Sequence, residues 1–193
     1  PPDVALHWAQ VVDSSFHARF SALNRHYLYM IDNSSTRPAL FRNYITSFPV
    51  QLDEKIMQKA AECLIGEHDF SSFRGADCQS KTPIRYIDSL NIYRKDMFIL
   101  INITANAFLH HMVRNIVGAL LLVGMHKRTP DWLQKILAAQ VRTPEFVTAS
   151  AHGLYFVQVT YPSTYHLPTQ NTALTRMSRL ITHITQTNVF GEK

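Results

Sequence analysis

The chain has 193 residues, 46% of them hydrophobic and 17% charged, which gives it enough apolar surface for a core and excludes a disordered chain. Nineteen Lys and Arg against fourteen Asp and Glu give a formal charge of +5, with ten His besides, a modest excess that suits a polyanionic partner without requiring one. Two cysteines, Cys63 and Cys78, match no zinc or redox spacing and make no secreted scaffold, so a reducing, cytoplasmic setting is expected. No signal peptide is visible at the start, and the longest apolar run, Ile116 to Met125, is too short to span a bilayer.

In chain order, His26 to Ile31 alternates and reads as a strand with Tyr27, Tyr29 and Ile31 on one face. Residues 32–37 are a polar loop. Leu52 to Ile65 has helical spacing, with Gly66 as its stop. His68 to Lys81 shows no period and reads as a functional loop. Ile84 to Tyr93 and Met97 to Thr104 alternate around Arg94-Lys95-Asp96, a hairpin whose turn lacks glycine. Ala105 to Met125 is expected to be one long helix. Thr129-Pro130-Asp131 opens a helix through Ala139, and Thr143-Pro144-Glu145 signals a shorter one. Leu154 to Tyr161 is a last strand, and beyond Pro168 the tail is polar until Val189-Phe190. The order β, α, β, β, α, α, α, β predicts an α+β fold, an antiparallel or mixed sheet with helices on one face.

Arg114 stands out. From Met97 to Pro130 there is no Asp or Glu, so a charge in a mostly apolar helix must reach solvent or meet an anion from elsewhere. His111, Asn115 and Gly118 share its stripe, which suits either a wet helix face or an arginine poised for carboxylate or phosphate. Tyr27 and Tyr29 at period two suit core packing as well as stacking on a nucleobase. Basic and aromatic residues interleave at Phe16-His17-Ala18-Arg19-Phe20 and Arg25-His26-Tyr27, a pattern compatible with nucleic acid. Adjacent His110 and His111 on a helix would point about 100° apart and have no acidic or cysteine ligand in their region, so no metal site is expected.

Five blocks then carry a resemblance: FHARFSALNRHYLY (16–29), LIGEHDFSSFR (64–74), CQSKTPIR (78–85), ANAFLHHMVRNIVGALLLVG (105–124) and GLYFVQVTYP (153–162). In order and approximate spacing they resemble TruA-type tRNA pseudouridine synthases over Phe16 to Pro168. The resemblance implies isomerisation of uridine to pseudouridine at positions 38, 39 and 40 of the tRNA anticodon arm. It also implies a homodimer, no cofactor or metal, and two α+β halves flanking a cleft. It places residues 16–168 in a catalytic and tRNA-binding domain, with 1–15 as a connector and 169–193 as a variable tail.

Residue by residue, Tyr27 matches the tyrosine that stacks on the target base, also a candidate for accepting the C5 proton. Arg114 matches the arginine that pairs with the nucleophilic Asp. Phe16, His17, Ala18, Arg19 and Phe20, and Asp77, Cys78, Gln79, Ser80 and Lys81, match two tRNA-contacting segments. Leu154 matches an apolar wall of the pocket. The sequence departs from the family in three places. Lys81 stands where Arg is frequent, and Phe156 where Leu is frequent. The Arg-Thr-Asp block that carries the nucleophile is missing, since none of the nine aspartates follows Arg-Thr or Arg-Ser. The expectation is therefore a truncated synthase, inactive alone, with a non-catalytic RNA-binding module as the alternative.

Overall fold

A computed structural model describes residues 2–168 apart from His7 and Leu40. The expected tail from 169 lies outside the described residues. Six strands form one mixed sheet: β1 (Asn24–Asp32), β2 (Thr46–Ser47), β3 (Gly66–Asp69), β4 (Ile84–Lys95), β5 (Phe98–Ala105) and β6 (Leu154–Thr160). The path runs β2-β1-β5-β4-β3, and β6 also pairs with β1. All pairs are antiparallel except β1 with β2.

Three helices cover one face: α1 (Glu54–Ala61), α2 (Met112–Gly124) and α3 (Pro130–Ala139). Between sheet and helices lies the main core, built from Tyr29, Ile31, Leu90, Ile92, Ile99, Ile101 and Ile103 against Met57, Met112, Ile116, Leu120 and Leu133. On the other face of β1 and β5, Leu28, Met30, Phe98 and Leu100 form a smaller cluster with Ile45 and Phe41. Burying such side chains is worth roughly 1.5–3 kcal/mol each. The period-two alternation of β1 and β5 therefore fixes which residues face the helices.

Local chemistry explains the elements. Asp53 caps α1 by accepting the N–H groups of Lys55 and Ile56 at 3.0 and 3.1 Å. After Ala61 the chain tightens into a 3₁₀ turn, Glu62–Leu64. Gly66, at φ +99°, then turns it into β3 rather than into a loop. The hairpin turn needs no glycine because Asp96 itself takes φ +53°, a conformation that Asp tolerates. In β4 the register shifts between Ile87 and Ser89, so Ile87 and Leu90, three apart, both face inward.

Two expectations need correction. The long helix does not begin at Ala105, which still pairs with Arg25 and Ile87 in the sheet. Asn106 to His111 form a connecting loop, and His111 at φ +61° precedes the first turn of α2. The helix expected at Thr143 is absent: residues 144–146 form only a turn. There Thr143 Oγ1 accepts the Glu145 N–H at 3.2 Å, a local bond that competes with helix.

Candidate functional site

Tyr27 opens onto a cavity of about 420 Å³, which Arg19, Arg25, Asp77, Cys78, Gln79 and Ser80 also line. The structure thus gathers Tyr27, Arg19 alone of the 16–20 segment, and residues 77–80 of the 77–81 segment. Arg85, Phe108 and His110, which the sequence reading did not select, line the same cavity. Arg85 belongs to the CQSKTPIR block and Phe108 to the block beginning at Ala105, and those blocks are the only sequence signal that marks them.

The Tyr27 ring is held from two sides. Phe108 meets it edge-on at 5.1 Å between centroids, and Phe156, its cross-strand partner on β6, at 5.3 Å. A bulge shifts the β1–β6 register between His26 and Tyr27. Bulges re-aim side chains in this way. Burial raises the Tyr27 phenol above its ordinary value, against a smaller lowering by Arg25, so the hydroxyl is protonated at neutral pH. Tyr29 is different. It is fully buried, and its hydroxyl bonds to Thr46 Oγ1 at 2.7 Å and to the Ser150 carbonyl at 2.8 Å. For Tyr29 the packing interpretation holds.

Two loops form the far wall. The Gly75 N–H donates to the His110 carbonyl at 2.9 Å, and the His110 N–H donates to Cys78 Sγ at 3.4 Å. His110 and His111 stack at 3.8 Å between centroids rather than diverging, because they precede the helix. Burial, the neighbouring His110 and Arg114 lower the His111 pKa, with Asp77 opposing. Among the described residues no three His, Cys, Asp or Glu side chains cluster as a metal site. Among the same residues no helix is long and apolar enough to cross a membrane.

The 16–20 segment divides. The Phe16 ring packs on Tyr161 and Tyr165 at 4.9 and 5.0 Å. His17 caps its own turn, accepting the N–H of Arg19 at 3.1 Å and of Phe20 at 3.3 Å. The Ala18 carbonyl accepts the Tyr161 hydroxyl at 2.8 Å. These three shape the turn. Phe20, 75% exposed with the Arg19 guanidinium 5.6 Å from its ring centre, faces solvent. Lys81 is exposed beside Ser80 and does not line the cavity.

Arg114 sits on the first turn of α2, outside the lining of that cavity but close enough to Tyr29 to interact with it electrostatically. Its Nε donates to the Ala149 carbonyl at 2.7 Å. Among the described residues no carboxylate forms an ion pair with it. The neighbouring Asn115 is buried and structural, donating to the Phe73 carbonyl at 2.7 Å and accepting from the Thr148 hydroxyl at 2.6 Å. Leu154, opposite Tyr29 across β1 and β6, packs half-buried against the main core.

Comparison with known proteins identifies the family. A family model described as tRNA pseudouridine synthase matches residues 60–162. A tRNA pseudouridine synthase A from Shewanella loihica (strain ATCC BAA-1088 / PV-4) is 50% identical over 168 residues, which is 87% of this chain and 64% of the relative. Proteins of the same name from Shewanella pealeana and Idiomarina loihiensis are each 48% identical over the same shares. The chain thus spans 64% of the length of these relatives. By the family-model match, which covers more than half of the chain and which its α+β fold accords with, the chain belongs to the tRNA pseudouridine synthase family.

Proposed function

We propose that this chain carries the base-binding and RNA-binding part of an enzyme that isomerises uridine to pseudouridine at positions 38–40 of the tRNA anticodon arm. The observation that supports this most is the clustering of Tyr27, Arg19 and residues 77–80 around one cavity. The reaction breaks the C1′–N1 bond, turns the base, and joins C5 to C1′. One proton leaves C5 and one reaches N1, so the product is an isomer of the substrate and no redox partner is consumed.

The target base first leaves its stack, at a cost of a few kcal/mol. Stacking on an aromatic ring returns about 1–3 kcal/mol per base. Tyr27, steadied by Phe108 and Phe156, is the ring we assign to this task. Leu154, opposite Tyr29 on β6 and outside the lining of that cavity, would offer an apolar surface to the base only beyond the cavity itself. A neutral phenol is a poor proton acceptor, so the raised pKa favours stacking and hydrogen bonding over general-base action for Tyr27. Arg114 would orient a carboxylate nucleophile, since a guanidinium held at Nε still has its terminal nitrogens to offer. No Arg-Thr-Asp block occurs in this sequence, so we assign the nucleophile to residues outside it. The same reading includes a homodimer in the complete enzyme, a cytoplasmic setting, and binding without turnover by this chain alone.

The test is a chimera. Joining the part of the Shewanella loihica protein that the match leaves uncovered to this chain should yield pseudouridine in an anticodon stem-loop. A folded chimera that binds the stem-loop and leaves every uridine unchanged would refute the assignment.

A further inference from the structure

Beside the cavity, two arginines bind one loop through backbone oxygens. Arg74 Nη2 donates to the carbonyls of Cys78 and Ser80, each at 2.8 Å. Arg85 Nη1 donates to the carbonyls of Thr82 and Ile84 at 3.0 and 2.5 Å, and its Nη2 bonds to Ser80 Oγ. Arg85 occupies the inward row of β4, in line with Ile87, while Ile84 before it is exposed. It is only 8% exposed, and its buried Nε has no hydrogen-bond partner.

A carbonyl orients a guanidinium without cancelling its charge. Two arginines away from the cavity are paired with carboxylates, Arg94 with Glu54 at 2.9 Å and Arg128 with Glu145 at 3.2 Å, whereas Arg114 and Arg142, like Arg74 and Arg85, are bonded to carbonyls and form no ion pair among the described residues. Neither Arg74 nor Arg85 has a carboxylate partner among the described residues, and the carboxylate of Asp77 on the same loop forms no ion pair there. Burial makes the charge on Arg85 costlier to hold, with Cys78 opposing and the nearby Arg74 adding a smaller effect of the same sign as burial. Buried charges are screened less by salt than exposed ones. A loop braced this way presents its residues in fixed geometry and carries two guanidinium charges that form no ion pair among the described residues.

We propose that Arg74 and Arg85 are positioning residues for RNA: they hold the Cys78–Thr82 loop in its binding shape, and their unneutralised charge draws an RNA phosphodiester to it. The proposal rests on the RNA-binding reading above and adds two residues that contact the loop rather than the base.

The experiment is fluorescence anisotropy of a labelled anticodon stem-loop RNA with the full 193-residue chain across a KCl series. Variants are Arg74→Gln, Arg85→Gln and Arg85→Lys, with Arg128→Gln as the control. Arg74→Gln and Arg85→Gln should each weaken binding about tenfold at low salt and flatten the salt slope by up to about one unit. Arg85→Lys should keep the slope yet lose several-fold in affinity, because one ammonium nitrogen cannot reproduce the two separate positions, Nη1 and Nη2, from which Arg85 reaches its acceptors. Thermal melting checks folding, and if Arg85→Gln does not fold, Arg74→Gln decides. Parent-like affinity and slope in Arg74→Gln and Arg85→Lys would overturn the proposal. A loss of affinity at the parent's slope in Arg74→Gln would overturn it too, leaving a purely structural brace. Failure of the parent to bind RNA would instead refute the functional reading and this proposal with it.

Discussion

Arg114 and Ala149 are joined twice: Arg114 Nε donates to the Ala149 carbonyl at 2.7 Å, and the Ala149 N–H returns a bond to the Arg114 carbonyl at 3.1 Å. The pair fixes the guanidinium against the segment that leads into β6. One turn along α2, Gly118 allows that segment to come close, since a Cβ there would lie 1.9 Å from the Val147 carbonyl oxygen.

Gly118→Ala should therefore destabilise the fold. The clash is with backbone, which cannot rotate away, so a loss of roughly 1–3 kcal/mol is expected. Urea unfolding should show a lower midpoint at an unchanged slope. A midpoint equal to the parent's would mean that the helix and the 147–149 segment are not in close contact.

Arg114→Gln should cost folding little more than the one Nε bond to the Ala149 carbonyl, about 1–2 kcal/mol, because the terminal nitrogens have no carboxylate partner among the described residues. In a chain that also carries the nucleophilic block, turnover should fall by roughly 10²–10³, the scale for losing one preorganised charged partner. Turnover within threefold of the parent would remove Arg114 from the mechanism.

Tyr27→Phe tests what the hydroxyl does. The edge-on contact with Phe108 and the packing on Phe156 need only the ring, so RNA affinity should stay within about threefold. The protonated phenol argues that turnover in the same complete chain falls modestly, not to background. Loss of all turnover with intact binding would make the hydroxyl a proton carrier.

The two thiols should differ in reactivity. Burial pushes Cys63 up to about 11. At Cys78 burial also raises the pKa, but hydrogen bonds from the N–H groups of His110 and Ser80 and the Arg74 guanidinium outweigh it, leaving the thiol below its ordinary value. The thiolate is the reactive form and grows as pH rises. Alkylation at pH 7.5 should therefore modify Cys78 well before Cys63, and the lead should narrow as pH climbs. Equal rates by peptide mass mapping would contradict the loop geometry.

Much of this architecture could be read from residue order. β1, β5 and α3 followed from alternation and from the Thr-Pro-Asp start, because their local preferences agree with their packing. Where the reading failed, long-range contacts prevailed. Ala105 looks helical but is claimed by two neighbouring strands, and β2, two residues long, leaves no pattern to see. Arg114 without a partner was legible as a gap in the acidic residues. Arg85 was not, because an arginine on the inward row of a strand reads as a surface residue until its carbonyl partners are known.

The most direct test incubates the 193-residue chain, at high concentration, with an anticodon stem-loop bearing uridine at positions 38–40, and scores RNA binding together with nucleoside composition. The account predicts binding and no pseudouridine. Pseudouridine above background would contradict it, because one of the nine aspartates of this chain would then be the nucleophile that we place outside it.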